Sequence, residues 1–145
     1  MVVPTDVRES IEVARPPDEV AAFMFDPAND ARWTGGVVES RPLTEGPLRA
    51  GAAVERTVRF AGRTFTYRYT VVASTPASVE LEIENPFPMR VSYALEEAAG
   101  GTHVTIYARG DAGGFFRVAG PLLNAMVRRN IRRDLRALER CLEKP

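Results

Sequence analysis

The sequence has little of several residue types, and each shortage excludes a class of protein. Of its 145 residues only Cys141 is a cysteine, so an intrachain disulfide is impossible. The 19 basic and 19 acidic residues cancel, so the chain lacks the broad positive field of a nucleic-acid-binding protein. No apolar run approaches the roughly 18 residues of a membrane-spanning helix, and the first ten residues have no export signal. These absences predict one cytoplasmic domain, residues 1–145, with no membrane span and no nucleic-acid partner.

Motifs for the common catalytic chemistries are also absent. The sequence has no phosphate-binding loop, no dinucleotide fingerprint, no metal-ligand cluster and no nucleophile elbow, so we expect no cofactor and no metal. Its one histidine, His103, falls on the outward face of a predicted strand, which favours a surface residue over a general base. Cys141 has no visible activating neighbour. Whether the protein catalyses a reaction therefore stays open.

The stretch PPDEVAAFMFDPANDARW, residues 16–33, predicts two short helices in succession. Pro17 suits the first position of a helix, and Pro27 ends that helix. Asp26 can cap a second short turn that follows at once. Gly35 comes directly after this turn, so the second helix is expected to end near Trp33.

Seven segments alternate apolar and polar residues as β-strands do. The first is VRESIEV, and the others follow as a meander: VVESRPL, AAVERTVRF, RTFTYRYTVVA, SVELEIE, MRVSYALEE and THVTIYARG. The turns between them predict these cross-strand pairs: Arg56 with Tyr67, Val58 with Phe65, Tyr69 with Leu81, and Leu95 with Val104. One face of the sheet is then apolar and the other polar, so one face should be covered and the other should meet water.

The segment after Gly114 predicts a long C-terminal helix that covers the apolar face of the sheet. Apolar residues recur in it near helical spacing: Phe115, Val118, Leu122, Met126, Ile131, Leu135, Leu138 and Leu142. Pro121 predicts a bend or break close to Gly120. Arginines at every fourth position from Arg128 to Arg140, interleaved with Asp134 and Glu139 and followed by Glu143, favour a solvated helix face over a basic binding patch.

The remaining candidates for function lie on the apolar face of the sheet and on the helices expected to cover it. They are large side chains with few polar atoms, as a small-molecule pocket presents: Phe25, Trp33, Arg56, Tyr67, Tyr69, Tyr93, Met126 and Asn130. A filled core is the alternative. Because a buried, unpaired guanidinium is costly, Arg56 must pair with a carboxylate such as Glu9, reach the rim, or meet an anionic ligand. We hypothesise that it orients a carboxylate, phenolate or enolate oxygen of a ligand.

The order of these elements resembles the START-like or Bet v 1-like (SRPBCC) superfamily, specifically its bacterial polyketide cyclase/dehydrase-type members. The landmarks of the resemblance are PPDEVAAFMFDPANDARW, LRAGAAVERTVRFAGR, VVASTPASVELE and GGTHVTI, which together span nearly the whole chain. The resemblance implies an α+β helix-grip fold. In this fold a curved seven-stranded antiparallel sheet wraps around a long C-terminal helix, and two short helices after strand one close one end.

The same resemblance implies binding of a small hydrophobic or amphipathic ligand, such as a lipid, polyketide or isoprenoid, between sheet and helix. A polyketide aromatase/cyclase-type enzyme is the first alternative, in which Arg56 with Tyr67 or Tyr93 polarises a ligand carbonyl. A protein-interaction module of the co-chaperone type is the second. The oligomeric state stays open, with a homodimer among the options.

Overall fold

Seven antiparallel strands form one sheet. The computed structural model describes residues 4–143. The strand bounds are β1 Thr5–Val13, β2 Val37–Pro42, β3 Ala53–Phe60, β4 Arg63–Thr75, β5 Ser78–Ile83, β6 Met89–Ala98 and β7 Gly101–Gly110. Strands β2 to β7 are neighbours in chain order, as a meander requires, and β1 completes the sheet by pairing with β7. The predicted seven-stranded sheet is confirmed.

The helices lie before and after the meander. Their bounds are α1 Pro17–Met24, a 3₁₀ helix Pro27–Asn29, α2 Asp30–Trp33, α3 Gly113–Phe116 and α4 Gly120–Glu143. The Asp26 carboxylate caps the 3₁₀ helix by accepting a hydrogen bond from the Ala28 N–H at 3.0 Å, as predicted. Among residues 4–143, no helix combines the length and the apolar character needed to cross a membrane.

Most of the predicted strand pairings are confirmed, and one is wrong. Arg56 lies opposite Tyr67, and Leu95 lies opposite Val104. Tyr69, however, pairs with Ile83 instead of Leu81. The strands turn tightly between Thr75 and Ser78, and a β-bulge between Val71 and Ala73 shifts the register again. Because the total shift is two residues and side chains alternate with period two, the predicted apolar face is unaffected.

The long C-terminal helix is confirmed, but its predicted buried stripe is wrong in the first half. α3 ends at Phe116, and the next residue, Arg117, has a left-handed φ of 56°; α4 then starts at Gly120, where the break was predicted. This break resets the helical phase, so Leu122 is 59% exposed while Leu123 is buried. The buried residues of α4 are Leu123, Ile131, Asp134, Leu135 and Leu138.

Gly36 connects α2 to β2 in a conformation that only glycine adopts without strain. Its φ is +96°, and a Cβ there would lie 2.6 Å from the carbonyl oxygen of Arg59 in β3. Gly62, in the β3–β4 turn, has φ +77° but no atom within 4 Å of such a Cβ. Both alanine variants should lose stability through left-handed strain.

We expect Gly36→Ala to cost about 1–3 kcal/mol more than Gly62→Ala, because the added methyl group must also displace strand backbone. Urea unfolding of the two variants measures this difference in the free energy of unfolding. If both variants lose the same free energy of unfolding, the β3 backbone at Arg59 can move enough to accommodate the added methyl group.

Candidate functional site

A cavity of about 190 Å³ lies between the apolar face of the sheet and α4. The strands of the meander form its floor, α2, α3 and α4 line its other sides, and it is partly open to solvent. Most of the lining side chains are apolar, among them Val58, Ile83, Val91, Ile106, Ala108 and Ile131. For comparison, an engineered apolar cavity of about 150 Å³ binds benzene. The space is therefore large enough for a single aromatic ring.

The cavity has an apolar end and a polar end. At the apolar end Phe65, Phe87 and Phe116 pack against one another with ring centroids 5.4 to 5.9 Å apart. Val127 of α4 joins this cluster, and Asp134 follows it seven residues later, which is about 10 Å along the helix. The lining residues with polar groups are Trp33, Thr34, Gly35 through its backbone, Arg56, Arg59, Tyr67, Tyr93, Asn130 and Asp134.

Arg56 is buried at the polar end, and Asp30 neutralises its charge. Nη2 of Arg56 lies 2.9 Å from Oδ2 of Asp30, and Nε donates to the same oxygen at 3.0 Å. The Ser40 hydroxyl also donates to this oxygen, at 2.7 Å. Nη1 of Arg56 donates to the Tyr67 hydroxyl oxygen at 3.2 Å, which leaves the proton of that hydroxyl free to donate. The pair is therefore electrically neutral and well hydrogen-bonded.

The predicted pairing of Arg56 with Glu9 is wrong. Glu9 lies on β1, and its carboxylate pairs with Arg128 and Arg132 of α4 on the outside of the helix. The carboxylate for Arg56 comes instead from α2, one of the two short helices that were expected only to close the fold. Because this partner is already present, no anionic ligand is needed to balance Arg56.

Asp134 contributes a carboxyl group to the cavity lining, whereas the sequence pattern placed it on the solvated face of α4. It is 8% exposed. The Gly35 N–H donates to its Oδ1 at 2.7 Å, and Nδ2 of Asn130 lies 3.4 Å from its Oδ2. Burial raises the pKa of Asp134 to about 7, although the Gly35 N–H and the nearby arginine charges act against this rise. Asp134 follows Ile131 by three residues and therefore lies on the apolar stripe of α4. This spacing is the sequence signal that predicts its burial.

A family model described as polyketide cyclase / dehydrase and lipid transport matches residues 4–143. This chain belongs to that family. Among solved structures it resembles a START superfamily protein from Mycobacterium smegmatis, with 13% identity, a TM-score of 0.79, and coverage of 95% of this chain and 97% of that one. It also resembles the di-domain ARO/CYC StfQ from the steffimycin biosynthetic pathway, with 12% identity and a TM-score of 0.78 over 97% of this chain and 52% of that one.

A third similar structure is Ara h 8.0201, with 14% identity, a TM-score of 0.70, and coverage of 96% of this chain and 97% of that one. No match was found among curated proteins. At such identities the likeness shows a shared fold. The START-like, Bet v 1-like helix-grip fold predicted from the sequence is thereby confirmed.

In this member of the polyketide cyclase/dehydrase family, the cavity brings together some of the predicted site residues. Those that line it are Trp33, Arg56, Tyr67, Tyr93 and Asn130. Burial raises the pKa of Tyr93 to about 12, so its hydroxyl stays protonated at neutral pH.

The structure places the other three predicted site residues away from the cavity lining. Tyr69 is 1% exposed and packs in the core, with its ring centroid 4.8 Å from Cζ of Arg56. Phe25 stacks on Tyr93 at a centroid distance of 6.5 Å and lines a separate surface depression. We expected Met126 to line the cavity because the apolar residues on both sides of Gly120 were counted in one helical phase. The break at Gly120 rotates the helix, so Val127 lines the cavity instead.

The remaining reactive side chains lie outside the cavity. His103 is on the outward face of β7, as predicted, and its Nδ1 lies 2.9 Å from the Glu12 carboxylate. Cys141 is half-buried near the end of α4, with its sulfur 3.6 Å from the Arg32 carbonyl oxygen. Within residues 4–143, no group of three or more His, Cys, Asp or Glu side chains is placed to hold a metal ion.

Proposed function

We propose that this protein binds one small, mainly apolar ligand in the cavity between the sheet and α4. The observation that carries the proposal is an apolar volume of about 190 Å³ with hydrogen-bonding groups at one end. Concave, mainly apolar spaces with a few convergent polar groups are the usual sites of small-molecule binding. The family description, which includes lipid transport, supports the proposal.

The cavity volume limits the size of the ligand. A cavity of about 150 Å³ holds the six carbons of benzene, and the same space per atom gives about eight non-hydrogen atoms here. A long acyl chain or a fused multi-ring polyketide needs more room. Because the cavity is partly open, the rest of such a ligand would extend out of it, or α2 and the segment around Gly35, which form one wall, would move away from α4.

Filling the cavity should prevent binding. Ala108 lies on β7, is 6% exposed and lines the cavity. We expect Ala108→Met to weaken the binding of 1,4-dimethylbenzene by about tenfold or more, because the longer side chain takes the space of the ligand. Titration followed by NMR of the purified protein measures the affinity.

The matched control is Ala125→Met, which adds the same side chain on the exposed face of α4. This variant should bind like the wild type, and thermal unfolding of both variants shows whether the fold is retained. A folded Ala108→Met variant with wild-type affinity would contradict the proposal.

A cyclase-type enzyme is the second candidate, and Asp134 is the observation that favours it. A carboxyl group with a pKa of about 7 can both accept and release a proton near neutral pH, as general acid–base catalysis requires. The family description also names cyclases and dehydrases. We place this candidate second, because no contact among residues 4–143 indicates where the reacting atoms of a substrate would lie.

A further inference from the structure

We infer that the ligand of this cavity is a neutral single-ring phenol, whose hydroxyl group donates a hydrogen bond to the carboxylate of Asp134. The inference rests on the proposed function, because it assumes that the cavity holds a ligand. It goes further by naming the chemical class of that ligand and the residue that recognises it.

The carboxylate of Asp134 argues against an anionic ligand beside it. Among residues 4–143, two arginines line the cavity: Arg56 is buried and balanced by Asp30, whereas Arg59 is exposed to solvent. Asp134 adds a carboxylate, and none of the ion pairs among the described residues includes it. Arg133, the nearest exposed arginine on α4, donates instead to Oδ1 of Asn130 at 2.7 Å. A carboxylate ligand would therefore meet a like charge.

The carboxylate of Asp134 has acceptor positions left for further hydrogen bonds. An ionised carboxylate offers about four acceptor positions. Asp134 uses one of them for the Gly35 N–H at 2.7 Å, while the contact from Asn130, at 3.4 Å, is long. Buried acceptors are normally paired. A hydroxyl group of a ligand could add a hydrogen bond shorter than the one from Asn130.

The apolar part of the cavity fits the rest of such a molecule. Asp134 and Val127 are separated by about 10 Å along α4, and the phenylalanine cluster closes the end near Val127. A benzene ring with one hydroxyl and one small opposite substituent has about eight non-hydrogen atoms, as the volume allows. An ammonium group would also pair with Asp134, but it would share the buried polar end with the Arg56 guanidinium.

The test uses two ligands of nearly the same shape, 4-methylphenol and 1,4-dimethylbenzene. At pH 8.5 Asp134 is ionised, whereas 4-methylphenol stays neutral because its pKa, like that of tyrosine, is about 10. The readout is the ratio of the two dissociation constants, measured on the full chain. Asp134→Leu should shift this ratio toward 1,4-dimethylbenzene by about tenfold or more, because it removes a charge-assisted hydrogen bond.

The control is Glu139→Leu, which removes a carboxyl group from the same helix outside the cavity and should leave the ratio unchanged. If Asp134→Leu does not fold, Asp134→Asn keeps an acceptor for the Gly35 N–H and should shift the ratio in the same direction by a smaller factor. The related compounds 4-methylbenzoate and 4-methylbenzylamine should bind the wild type more weakly than 4-methylphenol.

The outcomes separate the two claims. If the wild type binds 1,4-dimethylbenzene but loss of the Asp134 carboxyl leaves the ratio unchanged, the inferred ligand class is wrong and the proposed function stands. Tightest binding of the benzoate or the benzylamine also overturns the inference. If none of these aromatic compounds binds, the proposed function itself fails.

Discussion

Replacing Asp30 by alanine is expected to destabilise the fold by about 3–5 kcal/mol, because the Arg56 guanidinium would stay buried without a counter-charge. Arg56 is 6% exposed and Asp30 is 2% exposed, so water and salt screen the pair only weakly. The Ser40 hydroxyl would lose its acceptor as well. Urea unfolding at neutral pH measures the change in the free energy of unfolding.

A matched control is Glu55→Ala, at the residue next to Arg56 on β3. It removes the pair between Arg41 and Glu55, whose atoms are 2.7 Å apart but whose side chains are 63% and 32% exposed. An exposed pair of this kind contributes about 0–1 kcal/mol. If Asp30→Ala costs no more than Glu55→Ala, the buried pair does not support the fold as described.

The double replacement Asp30→Leu with Arg56→Met should recover much of the stability lost in Asp30→Ala, because buried ion pairs are often replaced by apolar side chains without penalty. The same double variant removes the donor to the Tyr67 hydroxyl. If the double variant regains stability and binds the ligand as tightly as the wild type, the Asp30–Arg56 pair supports the fold and has no role in ligand binding.

The second large effect concerns pH. Asp134→Asn is expected to stabilise the protein at pH 8 and to change its stability little at pH 4. Burial raises the pKa of Asp134 from 3.8 to about 7 in the folded protein. A carboxyl group with a raised folded-state pKa contributes stability that is fully present below the unfolded pKa and is lost as pH rises through the folded pKa. The wild type should therefore lose stability between about pH 4 and pH 7.

The whole shift corresponds to about 4 kcal/mol, which is the upper limit for the gain from Asp134→Asn above pH 7. Asparagine keeps an acceptor for the Gly35 N–H, so the variant mainly removes the charge. Free energies of unfolding measured from pH 4 to pH 8.5 test the sign and the midpoint.

The control for this series is Glu96→Gln, which removes an exposed carboxylate on β6 and should not change the pH dependence. Destabilisation by Asp134→Asn at pH 8 would mean that the ionised carboxylate stabilises the fold, contrary to its burial. Stabilisation, by contrast, would mark Asp134 as a group kept for ligand recognition at a cost to the fold.

The pattern of residues was sufficient for the strands, because alternation and short turns depend on neighbours a few residues apart. The two-residue turn at Ala61 placed Arg56 opposite Tyr67, as the structure confirms. Pro27 and Asp26 likewise marked the end of one short helix and the start of the next. The β4–β5 register was wrong because the chain turns over only Pro76 and Ala77, a tighter turn than expected, and because the bulge after Val71 has no signal in the sequence.

The sequence by itself thus determined the antiparallel meander, its apolar face and the positions of the helices. Only the tertiary structure decided which carboxylates belong to the cavity. Asp30 and Arg56 are 26 residues apart, and Gly35 and Asp134 are 99 apart. Their contacts depend on how α2 and α4 lie against the sheet. Local periodicity does not encode that arrangement, because it is set by packing between elements that are distant in the chain.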